Sequence, residues 1–175
     1  MAYRWPTSFW LLLFFGLIAL NVSVYREIFA PTVVKVWVFE VGKNSRAVLV
    51  RAPHGRALLI DTGPDASILR ALGETLPVWQ KMIDAVILTG TKASFVGGLP
   101  DVASRYIVSA RIHFGDRDAP YGAPLIFDSV GIEIIAPGTE IISYGATSLN
   151  LSSSTPSGVY VSDGNVLQKE DASVS

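Results

Sequence analysis

The chain contains no cysteine and only two histidines, His54 and His113. Without cysteine there are no disulfides, no thiolate zinc site and no thiol nucleophile. Two histidines are too few for a histidine-rich metal centre built from this chain alone. An excess of charge is missing as well: 14 Lys and Arg face 15 Asp and Glu, a formal net charge of −1. That balance offers a polyanion nothing, so direct nucleic-acid binding has no electrostatic support. The sequence has no P-loop, no GxGxxG, no GxSxG, no internal repeat and no low-complexity tract.

What is present is apolar. Half of the 175 residues are hydrophobic, enough to fill the core of one domain with an appendage. The run from Phe9 to Val24 (FWLLLFFGLIALNVSV) carries no charge, and Asn21 and Ser23 are its only clearly polar members. With Ser8 and Tyr25 it approaches the ~17–20 residues that cross a bilayer. Trp5, Trp10 and Tyr25 fall where interfacial aromatics sit, and Arg4 precedes the run while Arg26 is offset by Glu27. The positive-inside rule then places the N-terminus in the cytoplasm and the remainder outside. The following residues, NVSVYREIFA, offer no small-x-small cleavage site, which favours an uncleaved single-pass anchor over a signal peptide. The expected organisation is an anchor over residues 1–30, a folded domain over 31–164 and a frayed polar tail over 165–175.

Within the domain, Thr32 to Val41, Ala47 to Arg51 and Ala57 to Ile60 read as strands separated by turn residues. Asp65 is placed to cap a helix from Ala66 to Thr75, with Ile68, Leu69 and Leu72 on one face. Ile83 to Leu88 is a buried strand, and a short helix is expected at about Asp101 to Arg105. The rest reads as β: Ile107-Val108, Ala110 to Phe114, Leu125 to Asp128, Gly131 to Ala136, Ile141 to Tyr144, Leu149 to Ser152 and Val159 to Ser162. Strands, then strand–helix alternation, then more strands predict an α/β domain of layered sheet and helix.

The stretch from Val86 to Pro100 (VILTGTKASFVGGLP) organises the chain. A buried strand runs into a loop, a glycine pair and a helix start. Active-site loops of layered α/β folds occupy such strand ends, yet this loop has no His, no Cys and no carboxylate, and its one ionisable side chain is Lys92.

Three pieces, VWVFEVGKNSRAVLVRAPHGRALLIDTG, VILT and GGLP, appear in an order and spacing that resembles the metallo-β-lactamase superfamily. Within it, they look most like the extracytoplasmic domain of ComEC-type competence DNA-uptake proteins. The resemblance covers Val36 to Arg105 and loosens beyond, where GIEIIAPG and YVSDG are its only echoes. It implies an αββα sandwich, here shortened, and a metal-binding loop of the form Thr-His-x-His-x-Asp-His-x-Gly-Gly. Position by position, the first His falls on Gly90, the second on Lys92, the Asp on Ser94 and the last His on Phe95. Thr89, Gly97 and Gly98 match, as does Asp61 in the Asp-Thr-Gly turn.

A catalytic zinc needs three protein ligands and an open position for water. A dinuclear hydrolase needs about twice as many, with its metals ~3.5–4 Å apart. Gly90 has no side chain, Phe95 no lone pair, and Lys92 puts a cation where a cation would bind. The expectation is no dinuclear site, no bound cofactor and no metal-dependent hydrolysis.

The remaining candidates read as ordinary structure. Asp61 is expected to bond backbone N–H groups nearby. Asp163, the resemblance's candidate for a metal-bridging Asp, lies in a Ser-Asp-Gly-Asn turn. His54 sits in an exposed Pro-His-Gly turn, and His113 lies in a strand facing away from Ile112 and Phe114. Lys92 is either a solvated loop lysine or an anion contact beside the helix start after Gly98.

Three functions stay open. One is a membrane-anchored, catalytically inactive domain in a binding or accessory role, for which the resemblance implies a DNA-uptake channel as context. The second is a diverged metal-dependent hydrolase or phosphodiesterase, and the third a decayed gene product.

Overall fold

The computed structural model describes residues 7–28, 33–42, 44–115 and 118–170, with side chains of the first helix described from Phe9 to Ala19. The chain divides into two compact units, Met1–Pro31 and Thr32–Ser175. In the first unit, helix α1 (Thr7–Ile28) is 22 residues long. Its described large apolar side chains, from Phe9 to Ile18, are all exposed. Among the described residues no helix is long and apolar enough to cross a membrane. The side chains from 20 to 24 that would complete the expected span lie outside the described residues, as do the link at 29–32 and the tail at 171–175.

The second unit begins with an antiparallel meander, β1 (Val34–Val41), β2 (Ser45–Arg51) and β3 (Ala57–Ile60). After α2 (Ser67–Thr75) the chain adds β4 (Met82–Leu88) parallel to β3. Two short helices, α3 (Ala93–Val96) and α4 (Leu99–Arg105), lead into β5 (Ile107–His113), parallel to β4. Four antiparallel strands follow as a separate sheet: β6 (Pro124–Phe127), β7 (Val130–Ala136), β8 (Thr139–Tyr144) and β9 (Thr147–Leu151). The chain then returns to the first sheet with β10 (Gly158–Ser162) and β11 (Leu167–Glu170), giving the order β11-β10-β1-β2-β3-β4-β5.

The period-two alternation of side chains sorts the large sheet into two faces. Val34, Val36, Val38, Val48, Val50, Leu58, Ile60 and Ile87 pack against Ile132, Ile134, Ile142 and Leu151 of the second sheet. Val41, Leu49, Leu59, Ile83, Val86 and Leu88 pack against Ile68 and Leu72 of α2 and Val102 of α4. The four residues of β3 are buried on both faces, which explains why Ala-Leu-Leu-Ile is a continuous apolar run rather than an alternating one.

The layers are therefore helix, sheet and sheet. The second helical layer implied by an αββα sandwich is not found among the described residues, and Ile126 and Ile135 of the smaller sheet are exposed.

Two local expectations are corrected. The loop after β4 contains α3, a single turn whose first residue follows Lys92 in extended backbone. Leu167–Glu170, read as part of a polar tail, form an edge strand on β10. An edge strand is held by backbone hydrogen bonds and does not need apolar alternation, and Leu167 alone packs against the core.

Leu59 is wholly buried between β2, β4 and the helices. Leu59→Ala is expected to lower the unfolding free energy by about 2–5 kcal/mol, against less than about 0.5 kcal/mol for the exposed Lys169→Ala, read as denaturant midpoints of the full chain.

Candidate functional site

The ends of β3 and β4 are parallel neighbours, so the loops that leave them lie side by side. The Asp-Thr-Gly turn after β3 hooks the second loop residue by residue. Asp61 adopts φ 57, which turns the chain sharply, and its N–H donates to the Ile87 carbonyl at 2.8 Å. Its carboxylate accepts from the Thr89 N–H at 2.8 Å and from the Thr89 hydroxyl at 2.6 Å. Next along, the Thr62 N–H and hydroxyl both donate to the Phe95 carbonyl, at 2.8 and 3.0 Å. The Gly63 carbonyl accepts from the Gly98 N–H at 3.0 Å. The glycine pair is required by this contact: a Cβ on Gly97 would meet the Pro64 carbonyl, and one on Gly98 would come within 2.6 Å of the Thr62 and Asp65 carbonyls.

Thr89 also ties in the second sheet. Its hydroxyl accepts from the Gly138 N–H at 2.9 Å, and its carbonyl accepts from the Tyr121 hydroxyl at 2.8 Å. Arg46, at the start of β2, donates to Glu140 of β8 at 2.7 Å, to the Gly138 carbonyl at 3.0 Å and to the Ser152 carbonyl. Glu140 is only 1% exposed, and its second carboxylate oxygen has no partner. Burial pushes Glu140 up to about 7, Arg46 pulls it down, and the charge of Asp61 pushes it further up. Burial likewise pushes Asp61 up to about 6, against the opposing pull of the Thr89 donors and Arg46.

Two hollows open at this end of the sheets. The larger, about 620 Å³, is lined by Phe39, Arg46, Asp61, Ser94, Phe95 and Ser157 among others. The smaller, about 420 Å³, is lined by Gly90, Thr91, Lys92, Phe114 and Tyr121. Ser94, Phe95 and Pro137 border both and form the partition between them.

The donor set does not fit a metal. A Cβ on Gly90 would stand 2.8 Å from the Phe95 ring, and one on Gly138 3.4 Å from it. The ring thus occupies the space into which a ligand side chain at position 90 would reach. Lys92 is exposed on the rim, and Ser94 brings only a neutral hydroxyl. Asp61 spends both carboxylate oxygens on Thr89. No three His, Asp or Glu side chains gather as a ligand set among the described residues.

The structure brings Asp61, Thr89, Gly90, Ser94, Phe95, Gly97 and Gly98 together, with Lys92 at the edge. It keeps the other candidates apart. Asp163 follows β10, which is antiparallel to β1 with Ser162 opposite Val34. It therefore lies at the opposite end of the sheet from Asp61, accepting N–H groups from Asn165 and Val166 at 2.8 Å, contacts that hold its carboxyl below the ordinary value. His54 is exposed and paired with Asp128 at 2.9 Å, and His113 contacts Asp118 at 3.3 Å. Asp61 differs from its expected role, because its partner lies across the parallel strand pair rather than within its own turn. Sequence reading missed Arg46 and Glu140, each a lone charge beside apolar strand residues, and no local spacing links them.

No family model and no curated protein sequence matches the chain. Among solved structures, a HARLDQ-motif metallo-beta-lactamase from Cronobacter sakazakii aligns with TM-score 0.50 and 16% identity, over 75% of this chain and 67% of that one. A mutant form with the same motif gives 0.47 and 16%, over 62% and 56%. A metallo-beta-lactamase from Hirschia baltica gives 0.42 and 12%, over 66% and 64%. The chain spans little more than half of the mutant form, 56% of its length. The similarity establishes a metallo-β-lactamase-like fold and nothing of the chain's chemistry.

Asp61 and Glu140 keep their protons to higher pH when folded, at about 6 and about 7, than at their ordinary 3.8 and 4.5. Protonation therefore favours folding. This contribution is complete below the ordinary values and is lost as pH rises through the folded ones. The denaturant midpoint is expected to be higher near about pH 5 than near about pH 8, and Asp61→Asn to shrink that difference. The packing of Phe95 over Gly90 yields a second expectation. Gly90→Ala is expected to lose about 1–3 kcal/mol, and the double variant Gly90→Ala/Phe95→Ala to lose less than the sum of the single changes, measured by the same unfolding.

Proposed function

We propose that this chain is a membrane-anchored, non-hydrolytic metallo-β-lactamase-like domain that acts by binding, related to the extracytoplasmic domain of ComEC-type DNA-uptake proteins. The observation that carries the non-hydrolytic reading is the Phe95 ring in front of Gly90. An aromatic side chain fills the place of a ligand, and the flanking Lys92 and Ser94 do not supply one. The loop survives as a packed unit held by Asp61, Thr62 and Gly63 rather than by metal.

Binding is supported by the 620 Å³ hollow, which lies within the range of small-molecule sites. Phe39 and Phe95 give it apolar walls, and Ser94, Ser153, Thr155 and Ser157 give it hydroxyls. Anchoring is supported by the uncharged Phe9–Val24 run and by the exposed apolar side chains of α1. Arg4 ahead of the run, with Arg26 offset by Glu27 behind it, supports an N-terminus in the cytoplasm and the domain outside. The ComEC-type relation rests on the order and spacing of the VWVFEVGKNSRAVLVRAPHGRALLIDTG, VILT and GGLP pieces.

Elemental mass spectrometry of the purified full chain, dialysed against zinc and manganese, tests the reading. The expected result is no stoichiometric metal and no hydrolysis of a phosphodiester substrate. One metal ion or more per chain, together with turnover abolished by Asp61→Asn, would replace it with the diverged-hydrolase reading.

A further inference from the structure

The turn between α2 and β4 carries residues that turns rarely carry. The Gln80 N–H donates to the Pro77 carbonyl at 2.9 Å, closing a tight turn with Val78 and Trp79 at its two corners. Turn corners favour Gly, Asn, Asp and Ser. Here a valine 82% exposed and a tryptophan 84% exposed project from the tip. They have apolar neighbours. Met82 opens β4 and pairs in register with Ile107, which opens β5, and these are 47% and 68% exposed. The Ile107 N–H donates to the Lys81 carbonyl at 2.8 Å, fixing the turn's exit against β5. Exposed Lys81 and Arg105 flank this cluster.

Strand directions say what this end of the domain faces. β1 is antiparallel to β2, β2 to β3, and β3 and β4 run parallel. The starting ends of β1, β3, β4 and β5 therefore coincide. Asp61, Thr89 and the Phe95 hollow lie at the other end, where β3 and β4 finish. The chain enters the domain at the Val78–Trp79 end, and residues 29–33 alone separate α1 from Val34.

We propose that Val78, Trp79, Met82 and Ile107 form a membrane-docking face that seats the domain on the lipid interface, with the Phe95 hollow turned away from it. This rests on the anchoring reading above. The occupant is the bilayer surface rather than a protein because the cluster combines a Trp with aliphatic side chains and a rim of Lys81 and Arg105. Trp is suited to the boundary between headgroups and chains, and the basic rim to anionic headgroups. The tether then brings the face to that surface without a separate encounter.

The absence of cysteine makes the test direct, since a single introduced thiol is the one site of labelling. The full chain is reconstituted into vesicles of phosphatidylcholine and phosphatidylglycerol, carrying an environment-sensitive fluorophore at Val78→Cys, Leu13→Cys or Asn150→Cys. Lipids spin-labelled at shallow and deep positions serve as quenchers. The expected result is deep quenching at Leu13, shallow quenching with a blue-shifted emission at Val78, and a water-like probe at Asn150. A Val78 probe that stays water-like while Leu13 is quenched overturns the docking face and leaves the anchor standing. An unquenched Leu13 probe overturns the anchor, and docking is then decided by the Val78 probe on the same terms. A blue shift at Val78 without lipid quenching means that a second protein surface covers the turn, and overturns the proposal. Finally, Trp79→Glu is expected to abolish quenching at Val78. Quenching that survives it would show a turn held near the surface by the tether alone, and would equally overturn docking.

Discussion

The structure depends on a carboxylate held out of water. Asp61 follows a strand buried on both faces and lends both oxygens to Thr89, across the parallel pair β3–β4. Charge-assisted hydrogen bonds of this kind are stronger than neutral ones, yet they compete here with the desolvation of a buried acid. The outcome is a rigid junction that is sensitive to protons. Around it, Thr62 and Gly63 extend the same stitching to Phe95 and Gly98, and the Thr89 hydroxyl carries it to Gly138 in the second sheet. The loop that looks like the centre of a reaction site is, in physical terms, the place where two sheets and a helix start are locked together.

That dependence explains which residues of the loop the scaffold itself requires. Gly97 and Gly98 are demanded by contacts with the Pro64, Thr62 and Asp65 carbonyls, whatever stands at positions 90 to 95. Asp61 is demanded by Thr89. Gly90 is demanded by the Phe95 ring, which a Cβ there would meet at 2.8 Å, whereas Lys92 stands exposed at the rim. The phenyl ring supplies cohesion to the loop by dispersion and burial. The buried pair of Arg46 and Glu140 works similarly on the far wall, joining β2 to β8 through a partly satisfied acid.

Much of this was legible in the sequence wherever local pattern decides structure. Ala57 to Ile60 matched β3 at both ends, because a short apolar run bracketed by turn residues leaves little choice. The meander, α2 and the later strands followed from β-branched runs and helical spacing. What was not legible depends on partners distant in sequence. Arg46 and Glu140 are 94 residues apart, and Asp61 and Thr89 are 28 apart. No spacing rule links either pair before the sheets are assembled. Leu167–Glu170 were missed for another reason: the strand is polar and lies at an edge, so its only signature is a neighbour's unpaired backbone. The packing of Phe95 over Gly90 was half legible. The absence of His, Cys and carboxylate from the loop could be read directly, but the ring's placement over Gly90 needed the helical turn α3, too short to announce itself.

The pairing of β1 with β10 carries a consequence for how the chain is made. β1 is an interior strand of the large sheet, and its partner on one side, Val34 to Val38 against Gly158 to Ser162, comes more than a hundred residues later. During synthesis β2 emerges within seconds of β1, but the opposite edge of β1 must wait until Gly158 to Ser162 have left the ribosome. Until then a run of valines and aromatics presents an unsatisfied hydrogen-bonding edge, the kind of surface that pairs with the wrong strand. The sheet is closed only when β10 arrives, so the domain completes its fold after β10 has emerged, and until then β1 is paired on one edge alone.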